Sequence, residues 1–353
     1  MKLINTLFAL TLTVFTFKPA FAEGIEIIGS IDHHLKLKKP QQSLLNSKQA
    51  TDKVIKLLQV QLSEEEKELL VRRAKAIQEH KGQFSVKTLL ADPYTPAKVQ
   101  LGMNNVPVLD QGSHGTCTTF AITGALDAVI GQGDYISQLC NLQLGTYLEN
   151  HGYGSSGWDG AYGYKVIGQI QQFGVINTTK QHSSGCGGLK DYPTRSAHDN
   201  TLFMEPQQFA ALSELIFGKV ANWRNIPSHN INEVKQALNA GDRLVFATLL
   251  PRTDLGMTGA VGKYKTWIDK DSWVLTSEII KAAPTTQSAH EMIIVGYDDN
   301  AVAVDEQGKP HKGLLTLRNS WGDWAGNNGE FYMSYDYFQL LSFDVIRISK
   351  FPN

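Results

Sequence analysis

Residues 106–120 read Val-Pro-Val-Leu-Asp-Gln-Gly-Ser-His-Gly-Thr-Cys-Thr-Thr-Phe, and the chain runs on to Ile130 before it meets Gly131 and Gly133. After the small residues Gly112, Ser113 and Gly115, apolar side chains at Phe120, Ile122, Leu126, Val129 and Ile130 fall close to helical spacing, and the glycines end the run. The pattern predicts a buried helix with Cys117 in its first turn. Unpaired N–H groups and the positive end of the helix dipole favour a thiolate there, and the thiolate is the nucleophilic form. Taken alone, the stretch fits a small buried hydrophobe at position 117 equally well.

Two later stretches shift that balance. Ser288-Ala289-His290-Glu291-Met292-Ile293-Ile294-Val295-Gly296-Tyr297 places a histidine at the start of an apolar run. Leu315-Thr316-Leu317-Arg318-Asn319-Ser320-Trp321-Gly322 follows, with Gly326 and Gly329 beyond. The order Gln-Gly-(x)4-Cys, His-(x)4-Val-Gly-Tyr, Asn-Ser-Trp-Gly resembles the papain family of cysteine peptidases. The resemblance covers roughly residues 99–340, densely at these three islands.

That resemblance implies Cys117 as nucleophile, His290 as ion-pair partner and proton donor to the leaving amine, and Asn319 as the amide that fixes the imidazole. It also implies Gln111, six residues before the cysteine, as an oxyanion donor, whose loss typically costs about two to three powers of ten in rate. Trp321 would cover the His–Asn hydrogen bond. Ordinary core packing predicts the same burial.

The sequence departs from the family pattern in places. His114 stands where many members carry a half-cystine, and Thr118 replaces the aromatic that usually follows the nucleophile. The second tryptophan of the tail is Trp324, one position early. His290 lies 173 residues after Cys117 and Asn319 lies 202 after it, beyond the roughly 130 to 150 of small members. Extra surface loops are therefore expected between the two halves of the site.

Residues 1–22 combine Lys2, an apolar core from Leu3 to Phe17 and Ala20-Phe21-Ala22, a pattern that predicts a secretory signal peptide. No other stretch is long and apolar enough for a membrane span. A net charge of −1 with mixed signs offers no basic footprint for nucleic acid or anionic lipid. The expectation is an exported protein, extracellular or periplasmic, without membrane attachment after signal removal. In that oxidising setting, and with Cys117 kept reduced, Cys140 and Cys186 remain as one possible pair, which the family's layout loosely supports; two free buried thiols are the alternative.

Residues 23–98 precede anything that matches the peptidase and read as an inhibitory prosegment of mixed α/β build. Ile31, His33, Leu35 and Leu37 alternate as a strand that Pro40 ends. His33 and His34 point to opposite faces, against a metal pair. Val54, Leu57, Leu58 and Val60 suggest a helix, and Ser63 with Glu66 suggests a capping box opening a second helix with Leu69, Leu70, Ala74 and Ile77. The last part of the prosegment is expected to run through the cleft.

Beyond the nucleophile helix, helices are expected over residues 139–148, 161–173 and 209–217, the last stopped by Gly218. Asn230 caps a further helix, and residues 244–250 form a buried strand. The glycine-rich run holding Gly157, Trp158 and Gly160 either binds a substrate backbone, as in the family, or is a plain loop. Glu291 either places negative charge near the pocket for a substrate side chain or is a surface carboxylate. No clustered ligands call for a metal, and no cofactor is implied.

The fold class expected is α+β, a papain-like two-lobed fold preceded by the prosegment. Residues 99–229 would form the helical lobe and residues 230–353 the β-rich, barrel-like lobe of a peptidase domain spanning 99–353. The function expected is a secreted zymogen that hydrolyses peptide bonds of peptides or proteins through an acyl-enzyme, with its own prosegment as inhibitor. A catalytically silent peptide-binding protein and an acyl-transferring amidase or transpeptidase are the alternatives.

Overall fold

The computed structural model describes residues 24–36, 52–79, 95–266 and 270–352. The expected signal peptide, and most of the stretch expected to run through the cleft, lie outside the described residues. In chain order the elements are β1 (Ile25–Lys36), β2 (Asp52–Leu62), α1 (Glu64–Glu79), β3 (Lys98–Gln100), α2 (Cys117–Ile130), α3 (Gln138–Asn150) and α4 (Gly163–Phe173). Next come α5 (Thr178–Ser184), α6 (Pro206–Leu212), β4 (Ala221–Asn225), α7 (Ile231–Asn239), β5 (Arg243–Leu249) and β6 (Ser272–Trp273). The chain ends with α8 (Ser277–Ala282), β7 (Ser288–Val304), β8 (Pro310–Arg318), β9 (Glu330–Ser334), α9 (Tyr335–Leu341) and β10 (Ser342–Lys350).

Helix α2 is buried along nearly its whole length and ends at Gly131, whose φ of 79° closes the last turn in the left-handed region. One face packs on β5, β7 and β10 of the sheet. The helix is the common wall between the helical elements and the β-rich half. Ser137 caps α3 and Asn230 caps α7, each through its side-chain oxygen, so both starts follow ordinary capping chemistry. The disulfide Cys140–Cys186 ties α3 to the loop after α5.

The sheet runs β4-β10-β5-β7-β8-β9-β6, with β7 at its centre. Strand β7 is long enough to serve several partners: β5 along Ala289–Ile294, β3 at Gly296–Asp298, and β8 from Ile293 onward. Strands β3 and β4 both join this sheet from outside residues 230–353, so the two lobes interleave in sequence more than a single boundary near 230 implies.

Two expectations need correction. Residues 54–60 are strand, not helix: β2 pairs in register with β1 from Ile25↔Leu62 to Lys36↔Asp52. Ile55, Leu57, Leu58 and Val60 are all buried, so apolar residues occupy both faces and the alternation that marks a half-exposed strand is lost. The helix expected at 209–217 is α6, which starts at Pro206 and ends at Leu212. The β1–β2 hairpin pairs with β7 just ahead of His290, through Leu58↔Ala289 and Gln59↔Ser288. The second helix does form as expected: Ser63 Oγ accepts from Glu66 N at 3.2 Å, and Leu70 and Ala74 are buried.

Candidate active site

Three loops and one strand converge on the start of α2. Cys117 is the first residue of that helix and fully buried. Its neighbour Thr118 donates from Oγ1 to Glu291 Oε2 at 2.8 Å, which brings the residue after Cys117 against the residue after His290. His290, on β7, and Asn319, just after β8, meet at 2.8 Å between Nε2 and Oδ1. Since an amide oxygen only accepts, Nε2 carries the hydrogen and the neutral ring keeps its lone pair on Nδ1. Nδ1 is buried and has no hydrogen-bond partner among the described residues.

Asn319 Oδ1 also accepts from Ser320 N at 2.7 Å, so two donors hold the amide in place. Trp321 stacks on the imidazole, with ring centroids 4.5 Å apart and planes 25° off parallel. The indole shields the Nε2–Oδ1 bond from water, where a low local dielectric strengthens it. Burial pulls the pKa of His290 down to about 4, while the bond to Asn319 acts in the opposite sense.

Gln111 is fully buried and held at both ends of its amide. Oε1 accepts from Ser320 Oγ at 2.8 Å, and Nε2 donates to His114 O at 2.8 Å. The same Nε2 donates to the backbone carbonyl of Lys56, in strand β2 of the N-terminal hairpin, at 3.2 Å. Its own carbonyl accepts from Tyr192 Oη, which also meets Thr116 Oγ1. His114 fills the place of the missing half-cystine by packing edge-on to Trp158 and Tyr192, with Nε2 2.7 Å from Pro193 O.

The hairpin covers this site. Strand β2 pairs with β7 through Leu58↔Ala289 and Gln59↔Ser288, and Val60 N donates to Gln287 O. Strand β1 lies on the glycine-rich loop: Ser30 Oγ donates to Asp159 Oδ1 at 2.9 Å, and Ile27 N donates to Tyr162 Oη at 3.0 Å. Two glycines permit the approach. A Cβ on Gly115 would stand 2.7 Å from Ser30 Cβ, and one on Gly160 would stand 2.9 Å from Gly29 O and 3.1 Å from Leu58 Cδ2. Under this cover, burial and then the nearby Glu291 carboxyl push the Cys117 thiol up to about 12, overriding the pull expected from the helix N-terminus.

The residues expected at a substrate-binding wall divide. Gly160 faces the hairpin directly. Gly157 faces inward, where a Cβ would meet Leu142 and Thr119 at 3.2 Å. Trp158 is a core residue: it is 2 % exposed, donates from Nε1 to Thr146 Oγ1, and stacks on Tyr192 and His198. Glu291 is neither at the surface nor open to the cleft occupant; it is buried where the lobes meet, near Asp344. Burial and the second carboxyl raise Glu291 well above the usual range, and burial raises Asp344 to about 6. Sequence reasoning missed the cleft occupants Ser30, Lys53, Lys56 and Leu58 and the lobe-interface Asp344. Only the apolar run of β2 hinted at the first group, and its period was ambiguous. Among the described residues no group of three or more His, Cys, Asp or Glu forms a metal site, and no helix is long and apolar enough to cross a membrane.

Residues 208–352 match the model of the Peptidase C1-like family. No curated protein matches the chain by sequence. Among solved structures the chain is similar to xylellain, a cysteine protease from Xylella fastidiosa, at 22% identity and TM-score 0.47 over 74% of this chain and 88% of that one. It is similar to the bromelain protease from Ananas comosus in complex with the E64 inhibitor, at 14% identity and TM-score 0.44 over 72% and 99%. A third is digestive procathepsin L 3 of the Tenebrio molitor larval midgut, at 17% identity and TM-score 0.42 over 79% and 91%. The match to the Peptidase C1-like family falls on the β-rich half of the chain, the part that carries His290 and Asn319.

Proposed function

We propose that the protein is an exported zymogen whose peptidase domain, from about residue 99 onward, hydrolyses peptide bonds through a thioester on Cys117. The observation that carries this reading is the Lys56 carbonyl held by Gln111 Nε2 at 3.2 Å, a peptide C=O bound by the amide expected to stabilise an oxyanion. Once the hairpin has left, Cys117 regains solvent, a helix N-terminus and the free Nδ1 of His290. Those conditions favour the thiolate–imidazolium pair. The thiolate sulfur attacks the substrate carbonyl carbon, and Gln111 Nε2 with the Cys117 backbone N–H receives the developing oxyanion. Collapse breaks the C–N bond, and His290 gives its proton to the departing amine. Water then cleaves the thioester, with His290 taking the proton and the thiolate leaving.

In the full chain the β1–β2 hairpin acts as the inhibitor. It pairs with β7 through β2, which carries β1 on its other edge, and holds the thiol and imidazole neutral, so the cleft is both filled and chemically quiet. The N-terminal leader pattern, and a disulfide of the kind that persists in an oxidising compartment, support the export reading.

The test is intact-mass spectrometry after exposure to an epoxide that alkylates cysteine thiolates, on the full chain before and after it has processed itself. Expected is no adduct on the unprocessed chain, one adduct on the processed chain, and none in Cys117→Ala. A processed, folded chain that takes up no adduct would favour the silent binding protein. Transfer of the acyl group to an added amine in preference to water would favour the amidase or transpeptidase reading.

A further inference from the structure

Lys53, on β2, lies with Nζ 3.9 Å from the centroid of the Trp324 ring. That is well inside the range in which a cation is attracted by an indole face. Burial lowers the pKa of the Lys53 ammonium, Arg195 acts in the same sense, and the negative charges of Asp110 and Asp323 oppose them. Trp324 and Asp110 meet at a residue without a side chain, Gly322. A Cβ on Gly322 would stand 2.9 Å from Trp324 Cδ1, 3.1 Å from its Nε1 and 3.3 Å from Asp110 Oδ2.

The arrangement is braced from both sides. Asp110 Oδ1 accepts from Gly112 N at 2.8 Å, and Gly322 N donates to Leu109 O at 3.0 Å. It is therefore fastened to the loops that carry Gln111 and Asn319. Along β2 the contacts come in order: Lys53 at Trp324, the Lys56 carbonyl at Gln111, and Leu58 at Gly160 and Ala289. The tryptophan thus lies on the far side of the nucleophile from Gly160, about 10 Å along an extended chain from the oxyanion donor.

We propose that the Trp324 face, flanked by the carboxylates of Asp110 and Asp323, is a cation-binding subsite of the cleft. It holds Lys53 of the prosegment in the full chain and takes a lysine or arginine side chain of the substrate once that strand has left. The substrate half of this proposal rests on the peptidase reading. The zymogen half does not, because it concerns only how the hairpin is held. A cation over an indole face is worth about twofold to thirtyfold in affinity, from partly exposed to desolvated settings.

Two experiments test it. The first uses the processed chain and peptides that differ only in carrying lysine or norleucine, which keeps the four-carbon stem and lacks the ammonium, at successive positions around the cleaved bond. Expected is one position, on the side of the scissile bond away from Gly160, where lysine exceeds norleucine in kcat/KM by about threefold or more. The lysine-to-norleucine ratio at that position falls towards one in Trp324→Leu and is reduced in Asp323→Asn. A ratio of one at every position in the unaltered enzyme, or a ratio that survives both substitutions, overturns the substrate half.

The second experiment uses the unprocessed chain, blocked by Cys117→Ala, and follows hydrogen exchange of the β2 amides. Lys53→Met keeps the aliphatic contact and should speed exchange about threefold or more, whereas Lys53→Arg should leave it unchanged. Equal exchange in all three chains overturns the zymogen half. If the processed chain cuts none of the peptides, it is the peptidase reading that fails, and the exchange experiment still decides whether the subsite holds Lys53.

Discussion

His290 illustrates how few contacts set the chemistry of one side chain. Asn319 Oδ1 fixes the tautomer at 2.8 Å, Trp321 fixes the plane, and burial sets the direction of the pKa. Asn319→Ala frees the ring to rotate, and a misplacement of about 1 Å at a reacting group costs about 10²-fold. The expected result is a fall of that order in kcat with little change in KM. Gln111→Ala should cost about 10²- to 10³-fold in kcat through the oxyanion. In the unprocessed chain the same substitution deletes the bond to Lys56 O, so it should also loosen the hairpin, read as faster exchange of the β2 amides. A variant that slows turnover and leaves the hairpin as tight as before would separate the two roles of this amide and count against the Lys56 carbonyl as a stand-in for substrate.

At the scale of elements, the proposed regulation rests on the hairpin. Its polar anchors are weak: the Lys56–Asp159 pair spans 3.3 Å, but the Asp159 side chain is 74% exposed and well screened. Apolar burial and strand pairing therefore hold it. Leu58 is fully buried between Gly160 and Ala289, and truncating a buried leucine typically costs about 2–5 kcal/mol. Leu58→Ala should therefore raise the rate of self-processing and of Cys117 alkylation in the full chain by tenfold or more, while leaving the processed enzyme unchanged. Unaltered alkylation would show that other parts of the prosegment dominate the grip.

For the whole molecule, pH and the disulfide are the two handles. With the hairpin in place burial holds His290 near a pKa of about 4, against about 6.5 for a free imidazole. Between those values the uncovered state binds more protons than the covered one. The covered state is therefore most favoured above about pH 6.5 and loses ground as the pH falls towards 4. Lowering the pH from 7 to 5 should raise the uncovered population about tenfold or more, read as hydrogen exchange of β2 in Cys117→Ala after correction for the intrinsic pH dependence of exchange. An exchange profile that shows no pH dependence after this correction would remove His290 from the account. The Cys140–Cys186 bridge closes a sequence separation of 46 residues, and its removal by Cys140→Ala with Cys186→Ala should lower unfolding stability by about 2–4 kcal/mol in a denaturant titration.

The candidate site residues were legible because each sits in a local signature: Cys117 after small residues and before a helical apolar run, His290 at the head of a buried strand, Asn319 before Ser-Trp-Gly. Capped starts such as Asn230 were legible for the same reason, since capping is a matter of neighbours in sequence. The conformation of residues 54–60 was not, because a strand buried on both faces has no period of its own and takes its state from its partners β1 and β7. Glu291 and Trp158 were misplaced for a related reason: a polar or aromatic residue beside a cleft motif is turned inward or outward by what packs on it, here Thr118 for the one and Thr146 with Tyr192 for the other. Sequence alone marked Cys117, His290 and Asn319 as the candidate site and placed Cys117 at the start of a helix. Only the tertiary structure decided what covers them, because the cover is a long-range strand pairing between residues more than two hundred positions apart.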